Sequence, residues 1–182
     1  MKLKVSVCIT IFNEKKETIQ KLLNALNFQT LKPDEIVVID AKNYGNCNRS
    51  RGRNIAIKKA KNEIIAITDA GCIPHKDWLK KLTKSFNSNS VDVVAGGYKM
   101  IANNNFEKAE SVFLGVSTKD IDDDFMPSAR SMAFTKTIWK KAGGFPEKLD
   151  NTAEDTMFNL QLINIGAKFI VVKDAIVDWQ MP

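Results

Sequence analysis

The fold is decided by a stretch near the start of the chain, Val5-Ser6-Val7-Cys8-Ile9-Thr10-Ile11-Phe12-Asn13-Glu14. Its first seven residues are mostly apolar and β-branched, which predicts a strand, and the last three form a helix-start signal. Apolar side chains then recur at the spacing of a helix packed on a sheet, at Ile19, Leu22, Leu23 and Leu26. A strand followed directly by such a helix predicts the first unit of an α/β sheet.

Two further apolar runs extend this pattern. They cover residues 35–39 and 64–68, and an aspartate follows each, Asp40 or Asp69. Short continuous apolar runs are typical of strands buried on both faces. Helical patterns follow them, at residues 51–61 and from Pro74 onward. The first half of the chain therefore predicts a doubly wound α/β sheet that is parallel in this half.

The second half has a less regular pattern. A strand at residues 91–95 meets Gly96-Gly97, which we expect to break it. Further strands are predicted at 129–134, 168–172 and 175–179, and helices at 137–142 and 154–165.

Length and composition indicate one globular domain inside a cell. The chain has 182 residues, 44% hydrophobic and 26% charged, which excludes disorder and coiled coil as the main architecture. Its apolar runs are too short to span a bilayer, and no apolar signal segment precedes the first strand. Cys8, Cys47 and Cys72 lack the spacing of a disulfide framework or a thiolate zinc site. The net charge of +6 favours anionic partners: nucleic acid, phosphorylated ligands or an acidic membrane surface.

Polar residues mark the ends of the three predicted parallel strands: Thr10, Asp40 and Asp69. Ligands of open α/β sheets bind outside the carboxyl ends of such strands, so we expect a binding site at this edge. Neither a Gly-x-Gly-x-x-Gly fingerprint nor a phosphate-binding P-loop follows the first strand. The sequence therefore does not favour a dinucleotide-dependent oxidoreductase or a P-loop protein.

Six segments, in matching order and spacing, carry a resemblance to a known family. They are residues 5–14, Glu35-Ile36-Val37-Val38-Ile39-Asp40, Gly52-Arg53-Asn54-Ile55-Ala56, Thr68-Asp69-Ala70-Gly71-Cys72-Ile73-Pro74, Gly143-Gly144-Phe145-Pro146-Glu147 and Glu154-Asp155-Thr156. On these residues the chain resembles the family-2 glycosyltransferases of GT-A fold over nearly its whole length. The resemblance implies a Rossmann-like mixed β-sheet flanked by helices. It also implies one catalytic domain over residues 1–182, with a nucleotide-binding half at 1–95 and an acceptor-binding half at 96–182.

The resemblance assigns roles on the nucleotide side of the site. It implies that Thr10, Phe12, Asn13 and Asp40 hold a uridine- or guanosine-type base, with Arg53 and Asp69 beside the diphosphate. The chemistry suits these roles, because a carboxylate accepts hydrogen bonds from ring N–H groups and a guanidinium fork matches phosphate oxygens.

It also assigns the reacting groups. Asp155 matches the general base that deprotonates the acceptor hydroxyl in an inverting transfer, and Glu154 is expected to orient it. Gly96, Gly97, Arg130 and Trp179 fall in the region that faces the donor sugar and the acceptor.

The chain departs from the family pattern at the position of the divalent metal. Asp69-Ala70-Gly71 occupies the Asp-x-Asp position, so Gly71 stands where the second aspartate normally carries Mn²⁺ or Mg²⁺. Such ions prefer oxygen ligands, and Asp69 alone supplies few of them. Asp178 is the candidate for a further ligand. Metal dependence is thus left open by the sequence.

These features predict a glycosyltransferase that moves a sugar from a nucleoside-diphosphate sugar to an acceptor hydroxyl with inversion. Two alternatives stay open. One is a nucleotide-binding module without catalysis, which Gly71 favours; the other is a sugar-phosphate nucleotidyltransferase, which would need a glycine-rich basic loop where Ile11-Phe12-Asn13-Glu14 stands.

The expected partners follow from that prediction. They are a nucleotide-sugar such as a UDP-sugar and a sugar, lipid-linked or protein acceptor, as in polysaccharide biosynthesis, with no nucleic acid. The expected location is the cytoplasm, with peripheral contact at the inner face of the membrane. Because many relatives continue beyond the last strand, we expect a minimal enzyme or a shortened chain.

Overall fold

A computed structural model describes residues 3–45, 47–88, 90–114, 121–122, 124–149 and 153–180. In chain order, its elements are β1 (Val5–Ile11), α1 (Lys16–Asn27), β2 (Glu35–Asp40), α2 (Arg49–Lys59), β3 (Ile64–Ile67), β4 (Cys72–Pro74), α3 (Trp78–Thr83), β5 (Val93–Ile101), α4 (Asn105–Leu114), β6 (Met132–Thr135), α5 (Lys136–Lys141), α6 (Glu154–Asn164) and β7 (Phe169–Gln180). Short 3₁₀ helices lie at Ala41–Tyr44 and Lys84–Ser88.

The strands of the described ranges form one seven-stranded sheet in the order β2-β1-β3-β6-β5-β7-β4. β1 is parallel to both of its neighbours, β2 and β3, which confirms the predicted parallel arrangement of the N-terminal half. β6 runs antiparallel between β3 and β5, and β4 is antiparallel to β7. The sheet is therefore mixed, and its parallel part carries the expected binding edge.

Helices cover both faces of the sheet. Successive strand residues point to opposite faces, so Val7 packs with Leu22 of α1 and Leu79 of α3, whereas Cys8 packs with the α2, α5 and α6 side. The second face is closed by a cluster of aromatic rings, in which Phe145 stacks on Phe158 at 4.1 Å between ring centroids. This double covering explains why the parallel strands read as continuous apolar runs.

Gly96 and Gly97 do not break the strand that contains them, so that prediction is wrong. β5 runs through both residues, and only its register with β7 shifts between them. A side chain at Gly96 would overlap Ser131 and approach the Ala175 carbonyl, so glycine permits close packing here. The two predicted C-terminal strands are likewise a single strand, β7.

Around Pro74 the sequence pattern was also misleading. Pro74 ends the short strand β4, which had not been predicted, and α3 begins later, at Trp78. β4 escaped notice because it has three residues, fewer than the roughly 4–8 on which a strand pattern can be recognised.

In the described ranges, none of the helices has both the length and the apolar character needed to cross a membrane.

Candidate functional site

A cleft of about 630 Å³ lies at the carboxyl ends of β1 and β3, beside the end of β7. Its walls are formed by the loop after β1, the starts of α1 and α2, the segment after β3, and the end of β7. The lining residues are Thr10, Phe12, Asn13, Glu14, Lys15, Thr18, Arg49, Arg53, Asp69, Ala70, Gly71, Arg130, Trp179 and Gln180. The position agrees with the rule for ligands of open α/β sheets.

Cations outnumber anions in this lining. Lys15, Arg49, Arg53 and Arg130 contribute positive charge, against the carboxylates of Glu14 and Asp69. A concave surface with such an excess attracts anionic ligands.

Close packing of α2 on β1 brings two of these arginines to the cleft. A side chain at Gly52 would overlap the methyl group of Thr10, so the helix reaches this position only because residue 52 is glycine. The side chain of Asn48 accepts a hydrogen bond from the Arg51 N–H at 2.9 Å and caps the helix start. Arg49 and Arg53 are four residues apart, hence on one face of α2, and both line the cleft.

Arg53 is buried between two carboxylates. Its Nη2 donates to Asp69 Oδ1 at 2.8 Å, and its Nη1 donates to Glu154 Oε1 at 2.7 Å. The guanidinium also lies 5.5 Å from the centre of the Phe145 ring. Burial alone would lower the pKa of Arg53, but the two carboxylates raise it, so the side chain remains a cation. The structure thus places Arg53 in the lining of the cleft, with both terminal nitrogens donating to carboxylates.

Asp69 stays ionised for the complementary reason. Burial acts to raise its pKa, but the charge and hydrogen bond of Arg53, with the charges of Arg130 and Arg49, hold the pKa of this carboxyl below its ordinary value.

Glu154 and Asp155 begin α6 but have different partners. Glu154 is buried against Arg53, whereas Asp155 is half-buried and accepts the Ala129 N–H at 3.3 Å through Oδ2 and the Thr156 N–H at 2.9 Å through Oδ1. The structure therefore brings Glu154 to Arg53 rather than to Asp155. Backbone groups, and not Glu154, hold the carboxylate of Asp155.

Arg130 rests on two aromatic rings. Its guanidinium carbon is 3.7 Å from the centre of the Trp179 ring and 5.0 Å from that of Tyr98, and the two rings meet edge to face. Nη1 donates to Ser128 Oγ at 3.1 Å. Within the described part of the chain, Nε is buried with no hydrogen-bond partner, and Arg130 forms no ion pair.

Several other expected residues lie outside the cleft lining. Gly96 and Gly97 are buried inside β5, where they serve packing. Asp40 is at the carboxyl end of β2 as predicted, but its Oδ1 accepts the Lys42 N–H at 3.0 Å. Asp178 is bonded to His75, with Oδ1 2.9 Å from Nε2.

The donor set does not fit a divalent ion held by protein ligands. Asp69 already accepts from Arg53, Gly71 has no side chain, and Asp178 does not line the cleft. Across the residues that the structure describes, no group of three or more histidine, cysteine, aspartate or glutamate side chains is arranged to hold a metal. Hard cations need several oxygen ligands, and this chain supplies few of them at the Asp-x-Asp position.

The cleft contains seven of the residues singled out from the sequence: Thr10, Phe12, Asn13, Arg53, Asp69, Arg130 and Trp179. Sequence reasoning missed Lys15, Thr18 and Gln180 in the lining, and Tyr98 beneath Arg130. Thr18 could have been found, because it follows the Phe12-Asn13-Glu14 signal by one helical turn. No local signal marks Tyr98, since its role depends on the pairing of β5 with β7.

A mixed sheet with a cationic cleft at the carboxyl edge of its parallel strands is the arrangement that the GT-A resemblance predicts. The sequence model of the family described as "Glycosyl transferase family 2" matches residues 41–141. The chain therefore belongs to glycosyltransferase family 2, as the sequence segments predicted.

Known proteins with similar sequence or structure agree with this assignment. The glycosyltransferase AglE of Haloferax volcanii is 30% identical over 131 residues, which cover 58% of this chain and 43% of AglE. Crystal structures of TarS from S. aureus match 98–99% of this chain at a TM-score of 0.75 and 18–20% identity, and they include complexes with UDP and with UDP-GlcNAc. Because the sequence identity to TarS is low, the structural similarity establishes the fold alone. The chain spans 37–61% of the length of those TarS chains.

Proposed function

We propose that this chain transfers a sugar from a nucleoside-diphosphate sugar to an acceptor hydroxyl with inversion at the anomeric carbon. The observation that carries the proposal is the cleft itself, where Arg49, Arg53 and Arg130 line one space at the carboxyl edge of the parallel strands. A diphosphate is the anion that such a cluster of guanidinium groups suits.

The nucleotide base would lie on the β1 side of the cleft. Thr10 Oγ1 is buried and has no hydrogen-bond partner in the described part of the chain, so it is available to a ligand. Phe12 provides an apolar surface and Asn13 an amide that can both donate and accept. The UDP and UDP-GlcNAc complexes of TarS support a uridine nucleotide as the first donor to test.

Asp155 is the proposed general base. Its carboxylate accepts the N–H of Ala129, which directly precedes Arg130, so the chain segment that carries an arginine of the cleft also contacts the proposed base. The acceptor hydroxyl would give its proton to Asp155 while its oxygen bonds to the anomeric carbon. The bond from that carbon to the phosphate oxygen breaks, and its electron pair leaves with the nucleoside diphosphate, whose charge the arginines offset.

The alternative of a nucleotide-binding module without catalysis is favoured by one observation, the glycine at position 71. A nucleotidyltransferase receives less support, because the loop after β1 contains no glycine in residues 12–15.

Hydrolysis of a panel of nucleotide-sugars without acceptor separates these functions. The panel should include UDP-glucose, UDP-GlcNAc and GDP-mannose, with release of the nucleoside diphosphate as the readout. Slow release from one donor is expected of a transferase, because water can replace the acceptor. Tight binding without release points to the module, and release of a nucleoside monophosphate or pyrophosphate points to different chemistry.

The net charge of +6 further supports the proposal that the protein acts beside an anionic surface, such as the cytoplasmic face of a membrane. Salt-sensitive sedimentation with anionic vesicles tests this location, and the absence of co-sedimentation at low salt would contradict it.

A further inference from the structure

We propose that Arg130, held on Trp179 and Tyr98, binds the donor diphosphate in place of a divalent metal, so that nucleotide binding in this chain does not depend on Mn²⁺ or Mg²⁺. The inference rests on the proposed function, since it concerns the same donor. It goes beyond that function because it names the residue that supplies positive charge in place of the metal ion, which the second aspartate of an Asp-x-Asp motif would otherwise hold.

The first step concerns the space at Gly71. A Cβ atom there would have as nearest neighbours the Gln180 carbonyl oxygen and Trp179 Cδ1, both at 3.9 Å, which is ordinary van der Waals contact. The Gln180 N–H donates to the Gly71 carbonyl at 3.1 Å and holds the segment against β7. A Cβ atom is therefore tolerated at position 71, so close packing does not require a glycine there.

The second step concerns what lies beside that space. The ring of Trp179 adjoins position 71, and the guanidinium of Arg130 covers the same ring at 3.7 Å. A cation of this chain is thus present next to the missing carboxylate, and it lines the same cleft as Asp69. The charge of Arg130 also reaches Asp69, where it helps to lower the pKa of that carboxyl.

The third step concerns the state of Arg130. Two rings fix the plane of its guanidinium, which reduces the conformational freedom that binding would otherwise remove. In the described part of the chain no carboxylate pairs with it, and its buried Nε lacks a partner. A pre-oriented guanidinium with unused donors is suited to bidentate binding of phosphate oxygens.

Calorimetric titration with UDP and GDP, in EDTA and in Mn²⁺, tests the inference. We expect the same dissociation constant in both conditions. We expect Arg130→Gln to weaken binding about 10- to 100-fold, the range for loss of a charge-assisted contact. The affinity of Arg130→Lys should lie between those of the unmodified chain and Arg130→Gln, because lysine keeps the charge but lacks the forked guanidinium. Circular dichroism should verify that both variants are folded.

Two further variants sharpen the result. Arg51→Gln removes the same charge from a residue outside the cleft lining, whose Nη1 donates to the Gly45 carbonyl, and it should bind as the unmodified chain does. Gly71→Asp restores the second carboxylate, and we expect it to gain binding of Mn²⁺, detectable by electron paramagnetic resonance.

Each result decides a separate point. Binding that requires Mn²⁺, or equal affinity of Arg130→Gln and the unmodified chain, overturns the inference and leaves the proposed function in place. If no nucleotide binds under either condition and no nucleotide-sugar is hydrolysed, the proposed function fails, and the inference fails with it.

Discussion

At the scale of single residues, neighbours in the chain have separate tasks. Glu154 and Asp155 are adjacent, but consecutive residues of a helix point about 100° apart, so one is buried against Arg53 and the other meets the backbone of Ala129. Loss of Asp155 should therefore leave the buried ion pairs unchanged.

We predict that Asp155→Asn retains nucleotide binding and loses transfer at least about 100-fold, the lower limit for a general base. The amide has a similar shape but cannot accept the proton. Initial rates with the donor identified from the panel, together with calorimetric binding, measure the two effects. Asp174→Asn, at an exposed carboxylate paired with Lys81, is the matched control and should keep full activity. Near-normal turnover of Asp155→Asn would contradict the assignment of Asp155 as the general base.

Two buried thiols should make the free energy of unfolding fall as the pH rises into the alkaline range. Burial raises the pKa of Cys8 to about 12, and the pKa of Cys72 is also raised, mainly by burial. Above pH 9.0, the ordinary pKa of these thiols, the unfolded chain loses the protons while the folded chain keeps them. The stabilising contribution is therefore complete below that pH and is lost as the pH rises toward the folded values.

For Cys8 we predict a fall in the free energy of unfolding of about 1.4 kcal/mol per pH unit above pH 9. Urea titrations at pH 8, 9 and 10 measure it. Cys8→Ala is the control: it lowers stability at every pH by leaving a small cavity, but its slope should be shallower by the contribution of one thiol. An identical slope in both proteins would contradict the prediction.

At the scale of elements, the site depends on how α2 approaches the sheet. Arg53 on α2 contacts Asp69, which follows β3, and Glu154 of α6, so three separate segments meet in one ionic group in which Arg53 and Glu154 are buried and Asp69 is half-buried. Removing one partner of a buried ion pair strongly destabilises the fold, because the other charge remains buried without compensation. The close approach at Gly52 is what makes this junction possible.

We predict that Gly52→Ala lowers the free energy of unfolding by about 1–3 kcal/mol, the usual cost of overpacking. The added methyl group would overlap Thr10, and this outweighs the better helix propensity of alanine. Denaturant titration measures the change. Gly71→Ala is the control, because a Cβ atom there would make only ordinary van der Waals contacts, the nearest at 3.9 Å. Equal stability of the two variants would mean that α2 can move away from β1 without loss.

At the scale of the whole molecule, the cleft joins distant parts of one sheet. Its walls come from the loop after β1 and from the end of β7, which lie on opposite sides of the β3-β6-β5 centre. A ligand that contacts both sides should stabilise the domain as a unit.

We predict that UDP at 100 times its dissociation constant raises the free energy of unfolding by about 2.7 kcal/mol. For a domain of this size that corresponds to an increase in Tm of roughly 5–10 °C. Uridine, which lacks the diphosphate, is the matched ligand control and should have a much smaller effect at the same concentration. Equal shifts for UDP and uridine would show that the arginines of the cleft do not bind the diphosphate.

The sequence by itself determined the α/β class, the parallel direction of β1, β2 and β3, and the edge where the cleft lies. These properties are local, because strand and helix periodicity and the polar residue at a strand end are readable within a few residues. Only the tertiary structure decided the partners of the charged groups. Arg53 and Glu154 are 101 residues apart. Arg130, just before β6, meets Trp179 only because β6 pairs with β5 and β5 pairs with β7. Ion pairs and ring contacts depend on which distant segments the strand order brings together, and no local pattern encodes that order.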